Sequence, residues 1–144
     1  MSFPSEIVDR LAITDVLTRL FVYTDQKRWD DLLDLFAAEV DFDGGTGQAQ
    51  RRPATDIAAD WKAALEPLDA VHHQAGNYLV DLDGDRADVH ADSIAVHVRE
   101  DATQGKTRTF IGSYRLGVHR DGAGWRIDRF HYRPKVIEGN VDLT

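Results

Sequence analysis

The stretch VHHQAGNYLVDLDGDRADVHADSIAVHVR, residues 71–99, decides the fold. Apolar and polar residues alternate through it with the two-residue period of strands buried on one face. Asp83-Gly84 interrupts the alternation with a strong signal for a two-residue hairpin turn. The stretch therefore reads as two antiparallel strands, Val71–Leu82 and Arg86–Arg99. The alternation continues downstream and gives strands over Arg108–Arg120 and Trp125–Arg133. A longer hairpin through Asp101–Lys106 leads into the first, and the turn Asp121-Gly122-Ala123-Gly124 joins the two.

Upstream the period changes. Ser5 to about Gln26 reads as a helix, with Ser5 as N-cap and Glu6 and Asp9 near its positive end. Leu11, Leu17, Leu20 and Phe21, with Ile13, Val16 and Val22, make it apolar around most of its circumference, the pattern of a buried helix. A second helix covers roughly Trp29–Ala38, its core stripe formed by Trp29, Leu32, Leu33 and Phe36, with Asp30, Asp31 and Asp34 toward water. Val40–Asp43 reads as a short strand. The glycines at 44, 45 and 47 read as a hairpin, since no Lys-Ser/Thr follows to make a phosphate loop. After Pro53 a third helix runs from Thr55 to about Glu66, ended by Pro67. Helices followed by a strand meander give an α+β class, and residues 1–144 carry no repeat or linker that would divide one domain.

Composition removes several function classes. The 144 residues are 42% hydrophobic and 29% charged, enough for one core without a covalent staple. No cysteine is present, which excludes disulfides, zinc ribbons, thiol nucleophiles and iron–sulfur ligation. Seventeen Lys and Arg against 25 Asp and Glu leave a net charge of −8, the wrong sign for a nucleic-acid partner. No apolar run approaches the roughly 20 residues of a membrane span. The N-terminal MSFPSEIVDR lacks the basic-then-apolar order of a signal peptide, so the expectation is a cytoplasmic protein with no membrane partner. Six histidines occur without His-x-His or His-x₃-His spacing, so no metal and no other cofactor is expected.

A pocket follows from strand register. With Asp83-Gly84 as the turn, His73 lies opposite Ile94 and Asn77 opposite His90. Pairing Arg120 with Trp125 places Tyr114 opposite His131 and Leu116 opposite Arg129. Aligning the apolar sets puts Ile94 beside Tyr114, so His73, Ile94, Tyr114 and His131 form one row, with Arg129 two residues along the same face. Asp25 continues a helical stripe of Leu11, Thr14, Thr18 and Phe21, which aims its carboxylate at that face. A carboxylate, two imidazoles, a guanidinium and a phenol converging on an apolar cavity make a catalytic or binding pocket. The opposite face carries Tyr78, Val80, Val89, Ile111, Phe130 and Tyr132, an apolar patch expected to be covered by a second subunit.

Tyr23-Thr24-Asp25, Trp29-Asp30 with Leu33 and Phe36, His72-His73-Gln74-Ala75-Gly76-Asn77, Asp83-Gly84-Asp85-Arg86-Ala87 and Gly124-Trp125-Arg126-Ile127 occur in that order. Together they resemble the SnoaL-like branch of the nuclear transport factor 2-like superfamily, near scytalone dehydratase and hexachlorocyclohexane dehydrochlorinase. The resemblance covers nearly the whole chain. It implies a cone in which a strongly curved, mostly antiparallel sheet wraps three N-terminal helices, and a homodimer or homotrimer. It also implies an Asp–His dyad, which falls on Asp25 and His73, and an arginine of the last strand, which falls on Arg129. Two departures stand out: Leu20 replaces the lysine of the dehydrochlorinase, and Phe42-Asp43-Gly44 offers no second dehydratase tyrosine.

The functional expectation is a cofactor-independent lyase, dehydratase- or dehydrohalogenase-like, acting on a small, apolar and cyclic molecule. His73 is the general base and Asp25 holds its tautomer. Arg129 either stabilises departing charge or pairs with Asp25 or Asp92. Tyr23, Trp61, Asn77, Tyr114 and His131 are the substrate-binding candidates, with Asn77 and His90 able to satisfy one another and His72 facing outward. Two other classes stay open: an isomerase or cyclase on a polyketide- or steroid-like substrate, and a non-catalytic small-molecule-binding module. In the last, Asp25 and His73 stand too far apart to bond, or side chains fill the cavity.

Overall fold

The computed structural model describes residues 3–122 and 124–144. Ala123 of the Asp121–Gly124 turn, and Met1 and Ser2 of the N-terminal segment, lie outside the described residues. The elements are α1 (Phe3–Asp25), α2 (Trp29–Leu33), β1 (Phe36–Asp43), β2 (Gln50–Pro53), α3 (Ala54–Leu65), β3 (Ala70–Asp83), β4 (Arg86–Val98), β5 (Thr107–Asp121) and β6 (Gly124–Gly139). The six strands form one mixed sheet in the order β2-β1-β6-β5-β4-β3, in which β1 alone runs parallel to its neighbour, β6. The sheet curves around the helices in the expected α+β cone. The glycine-rich turn after β1 is a hairpin, as its composition indicated, and Asp43 organises it. Its Oδ1 accepts the backbone N–H groups of Gly45 and Thr46 at 2.9 Å, and these bonds hold the carboxyl below its ordinary pKa.

α1 supplies the central core stripe. Ile13, Leu17, Leu20 and Phe21 are buried against Val89, Ala91, Leu116, Val118 and Ile127 of the sheet, each worth about 1.5–3 kcal/mol relative to exposure. The stripe is narrower than expected: Val8 and Leu11 are 63% and 65% exposed, so the sheet covers one side of α1 rather than most of it. Ser5 lies inside α1 and does not cap it, because the helix already begins at Phe3. Pro4 then sits in the first turn, where a missing N–H costs nothing. At the same end Asp9 is buried and accepts a two-pronged contact from Arg120 of β5, at 2.7 and 2.9 Å.

The second helix stops five residues short of the expected Ala38. Phe36, Ala37 and Ala38 instead open β1, where Phe36 pairs with Ile127 and the Ile127 N–H donates to the Leu35 carbonyl at 2.8 Å. Tertiary pairing here outweighs a helical spacing of Leu32, Leu33 and Phe36.

Register is where expectation and structure part most. The turn after β3 centres on Gly84-Asp85, with Asp83 paired to Arg86. A bulge between Gly76 and Leu79 then shifts the ladder, so His73 lies opposite Ala95 rather than Ile94. Asn77 occupies that bulge in the left-handed region, φ 55°. The Arg120–Trp125 pair forms as expected, but a second bulge at Gly117/Val118 sets Tyr114 opposite Tyr132 and Arg129 opposite Gly117. Ile94 lies beside Ile111, not Tyr114.

The concave face of β4 carries Val89, Ala91, Ser93, Ala95 and His97, all buried, while Ile94 is 48% exposed on the convex side. Val89 and Phe130 are core residues, and Tyr78, Val80 and Tyr132 pack against that core. Those five residues therefore leave the expected outer patch, whereas Ile111 stays on the convex side in a row between Ile94 and Val136, which are 48% and 40% exposed. The rest of the convex face carries the Asp88–Arg129, His90–Asp92, His119–Asp128 and Asp41–His131 contacts. Among the described residues no helix is long and apolar enough to cross a membrane.

Candidate active site

The last turn of α1 meets the start of β3 at Asp25 and His73. Asp25 Oδ2 accepts the backbone N–H of His73 at 2.9 Å, and Oδ1 lies 2.6 Å from His73 Nδ1. The side chains are only 15% and 12% exposed. An ionised carboxylate has no proton to give, so Nδ1–H is the donor and the lone pair of the ring resides on Nε2. The Phe21 ring packs 5.5 Å from the imidazole. His72 is 71% exposed, as the strand alternation requires.

His97 on β4 faces His73, with ring centroids 6.4 Å apart. Arg108 on β5 donates Nε–H to His97 Nδ1 at 2.9 Å and a further N–H to the Val141 carbonyl at 2.8 Å. Since Nδ1 of His97 accepts, its proton sits on Nε2, the reverse of His73. Burial first, then the adjacent guanidinium charge and His73, pushes the His97 pKa down to about 4, so this ring is neutral at pH 7. Burial also lowers the Arg108 pKa from its ordinary value. Tyr114 bonds Ser93 Oγ at 2.9 Å, and burial raises its phenol well above the usual range, keeping it protonated.

These groups border a partly open cavity of about 280 Å³. Phe21, Phe42, Trp61, Phe110, Phe130 and Tyr132 supply its apolar walls. Trp61 of α3 packs on Phe36, Phe42 and Phe130, joining β1 and β6 to the helix layer. Tyr132 stacks 4.7 Å from Tyr114. That approach depends on Gly112, where a Cβ would lie 2.5 Å from the Arg133 carbonyl and 2.6 Å from the Tyr132 ring.

Of the residues expected at the site, Asp25, His73, Tyr114 and Trp61 come together here. Arg129, His131, Asn77 and Tyr23 do not. The bulge at Gly117/Val118 turns Arg129 to the convex face, where it contacts Asp88 and not Asp25 or Asp92. His131 Nε2 lies 3.0 Å from Asp41 on that same face. Asn77 donates to Asp92 at 2.9 Å, and His90 reaches the same carboxylate at 3.1 Å, so these two meet through Asp92 rather than directly. The Ser113 hydroxyl and Asn77 amide hold Asp92 down to about 2. Tyr23 accepts from Arg19 at 2.6 Å and lies under Arg28.

His97, Arg108, Ser93 and Tyr132 were not among the expected site residues. The available signal was the run Ala91-x-Ser93-x-Ala95-x-His97, whose small residues mark the buried face of β4. Among the described residues no three His, Asp or Glu side chains gather as metal ligands would.

The family model for the SnoaL-like domain matches residues 5–131. The chain belongs to the SnoaL-like family. Its fold recurs in the Kfla4162 protein of Kribbella flavida, with 28% identity and a TM-score of 0.86 over 96% of this chain and 97% of that one. A candidate aromatic ring hydroxylase of Novosphingobium aromaticivorans is 27% identical, TM-score 0.82, over 95% and 96%. A candidate scytalone dehydratase of the same organism shares the fold at 16% identity, TM-score 0.82, over 95% and 91%. No curated protein matches the chain. The SnoaL-like family and the likeness to dehydratases expected from sequence are both found, the latter as a likeness of fold.

Proposed function

We propose that this SnoaL-like protein is a cofactor-independent lyase of the dehydratase type, acting on a small cyclic substrate held between aromatic walls. The observation that carries the reading is the 2.6 Å contact of Asp25 with His73 Nδ1 at the edge of an aromatic cavity. The contact leaves Nε2 of His73 as a base, and the carboxylate stabilises the imidazolium that forms when it takes a proton. His73 removes a proton from carbon beside a carbonyl. The carbon–hydrogen electron pair becomes an enolate, which expels the hydroxyl group from the next carbon as the His73 imidazolium gives its proton to it, so that water leaves and the base is regenerated. The Tyr114 hydroxyl and the Nε2–H of neutral His97 are the donors available to the developing negative charge. Arg129, on the convex face, has no part in this step.

The base is tested without knowing the natural substrate. A cyclic ketone such as α-tetralone, incubated in D₂O, should exchange its α-hydrogens faster with wild-type protein than with His73→Ala, read by NMR. Equal exchange would remove the base. Mass analysis of the products of cyclic β-hydroxy ketones separates elimination, which loses water, from isomerisation, which conserves mass.

A further inference from the structure

We propose that the substrate is a cyclic carboxylate, and that Arg108 holds its carboxylate while the ring lies against the aromatic walls. The inference rests on the reading of this cavity as a substrate pocket and goes beyond it by assigning the substrate a charge. Arg108 lines the cavity and is half-buried. Two of its five N–H groups are taken, by His97 and the Val141 carbonyl. Among the described residues no carboxylate stands within 4.0 Å of it, and Asp142 acts on it only from farther away. Arg51, Arg86 and Arg129, which line cavities elsewhere among the described residues, each have an acidic partner, Glu39, Asp128 and Asp88 respectively. A guanidinium withdrawn from water without a counter-charge is unfavourable, and an anionic ligand relieves that cost.

The neighbourhood decides what anion fits. Asp25, the carboxylate behind His73, is already engaged by the His73 ring and backbone N–H. His97 adds a neutral Nε2–H, so the pole offers one positive charge and hydrogen-bond donors. One cation matches one negative charge, which selects a carboxylate over a phosphate dianion. The planar fork of arginine suits a carboxylate through paired N–H contacts. Phe110 beneath the guanidinium, with the cation 5.4 Å from the ring centroid, fixes its plane. His97 lies between this pole and the base, 6.4 Å from the His73 ring. A ring whose carboxylate is held at this pole extends past His97 toward the base, so that the C–H facing Nε2 of His73 lies on the part of the ring away from the carboxylate.

The experiment is calorimetric titration at pH 7.5 and low salt with benzoate and its neutral near-isostere benzamide, using wild-type, Arg108→Gln and Arg108→Lys proteins. Wild type should hold benzoate about tenfold more tightly than benzamide, and Arg108→Gln should bring the two within about threefold. Arg108→Lys, which keeps charge but not the fork, should reduce the preference at least about threefold and serves as the test if the Gln variant does not fold. Benzamide bound as tightly as benzoate by wild type, or a preference undiminished in the variants, overturns the proposal. If that happens while His73-dependent deuterium exchange survives, the charge assignment fails and the lyase reading stands. If neither probe binds, the charge assignment fails, and the lyase reading is decided by the deuterium exchange alone.

Discussion

His97 makes the stability of the fold sensitive to mild acid. Its ring is 9% exposed, and burial beside Arg108, with His73 opposite, carries its pKa from 6.5 to about 4, with only Asp25 acting in the other direction. In the unfolded chain the ring takes up a proton as pH falls through 6.5, whereas the folded state does so only near pH 4. Stability is therefore complete above pH 6.5 and declines as pH falls toward 4. Between pH 7 and pH 5 the difference is worth about 2 kcal/mol at full weight. Water reaching the ring through the partly open cavity reduces that to about 1–2 kcal/mol. Urea unfolding of wild type and His97→Asn at both pH values isolates the effect, because asparagine keeps an acceptor for Arg108 but cannot titrate. The wild type should lose about 1–2 kcal/mol more than the variant over this interval. Parallel losses, within about 0.3 kcal/mol, would refute the assignment of a buried neutral imidazole.

Other outcomes follow from the same geometry. Asp25→Asn keeps the shape at the end of α1 but removes the charge that fixes the His73 tautomer, so ketone exchange should fall about 10²–10⁴-fold with the thermal transition largely retained. Loss of the fold with exchange unchanged would make the pair purely structural. Arg129→Ala should leave exchange within about twofold, as expected of a convex-face residue, and a large loss would return Arg129 to the site. Gly112→Ala should cost about 1–3 kcal/mol in urea unfolding, because the methyl group meets the Arg133 carbonyl and the Tyr132 ring.

The class of the fold, the order of its elements apart from β2 and the Asp25–His73 pair were legible in the sequence, for unequal reasons. Strand alternation and the Asp-Gly turn are local signals, and local signals located β3 to β6 to within a few residues except at the far end of β6, which runs to Gly139. Asp25 was aimed inward by a stripe through Leu11 that turned out to face water; only its final step, Phe21 to Asp25, lies on the buried side. The convex and concave faces were not legible, because facing is a running parity that each bulge resets. Bulky Ile94, Val96 and Val98 have the apolar character of a core set for β4, yet the small Ala91, Ser93 and Ala95 are the buried residues of that strand. That choice hid His97 and its partner Arg108. Arg129 and His131 were misplaced by the one extra residue at the Gly117/Val118 bulge.

The buried Asp9–Arg120 contact near the start of α1 and the Asp25–His73 contact at its end act as two rivets on one rod, about 24 Å apart at 1.5 Å per residue. A rod fixed at both ends can neither slide along the sheet nor rock away from it. The walls contributed by α1, β4 and β5 should then breathe little, and any gating motion falls to the part of the lining supplied by Trp61 and Leu65 of α3 and by Gly44 of the β1–β2 hairpin. Amide hydrogen exchange should rank the segments in that order, with α1 slowest and α3 and the glycine-rich hairpin fastest. The Asp25–His73 contact is then a hinge pin, so Asp25→Ala, which removes both bonds to His73, should speed exchange at the end of α1, whereas Asp25→Asn, which can keep them, should not.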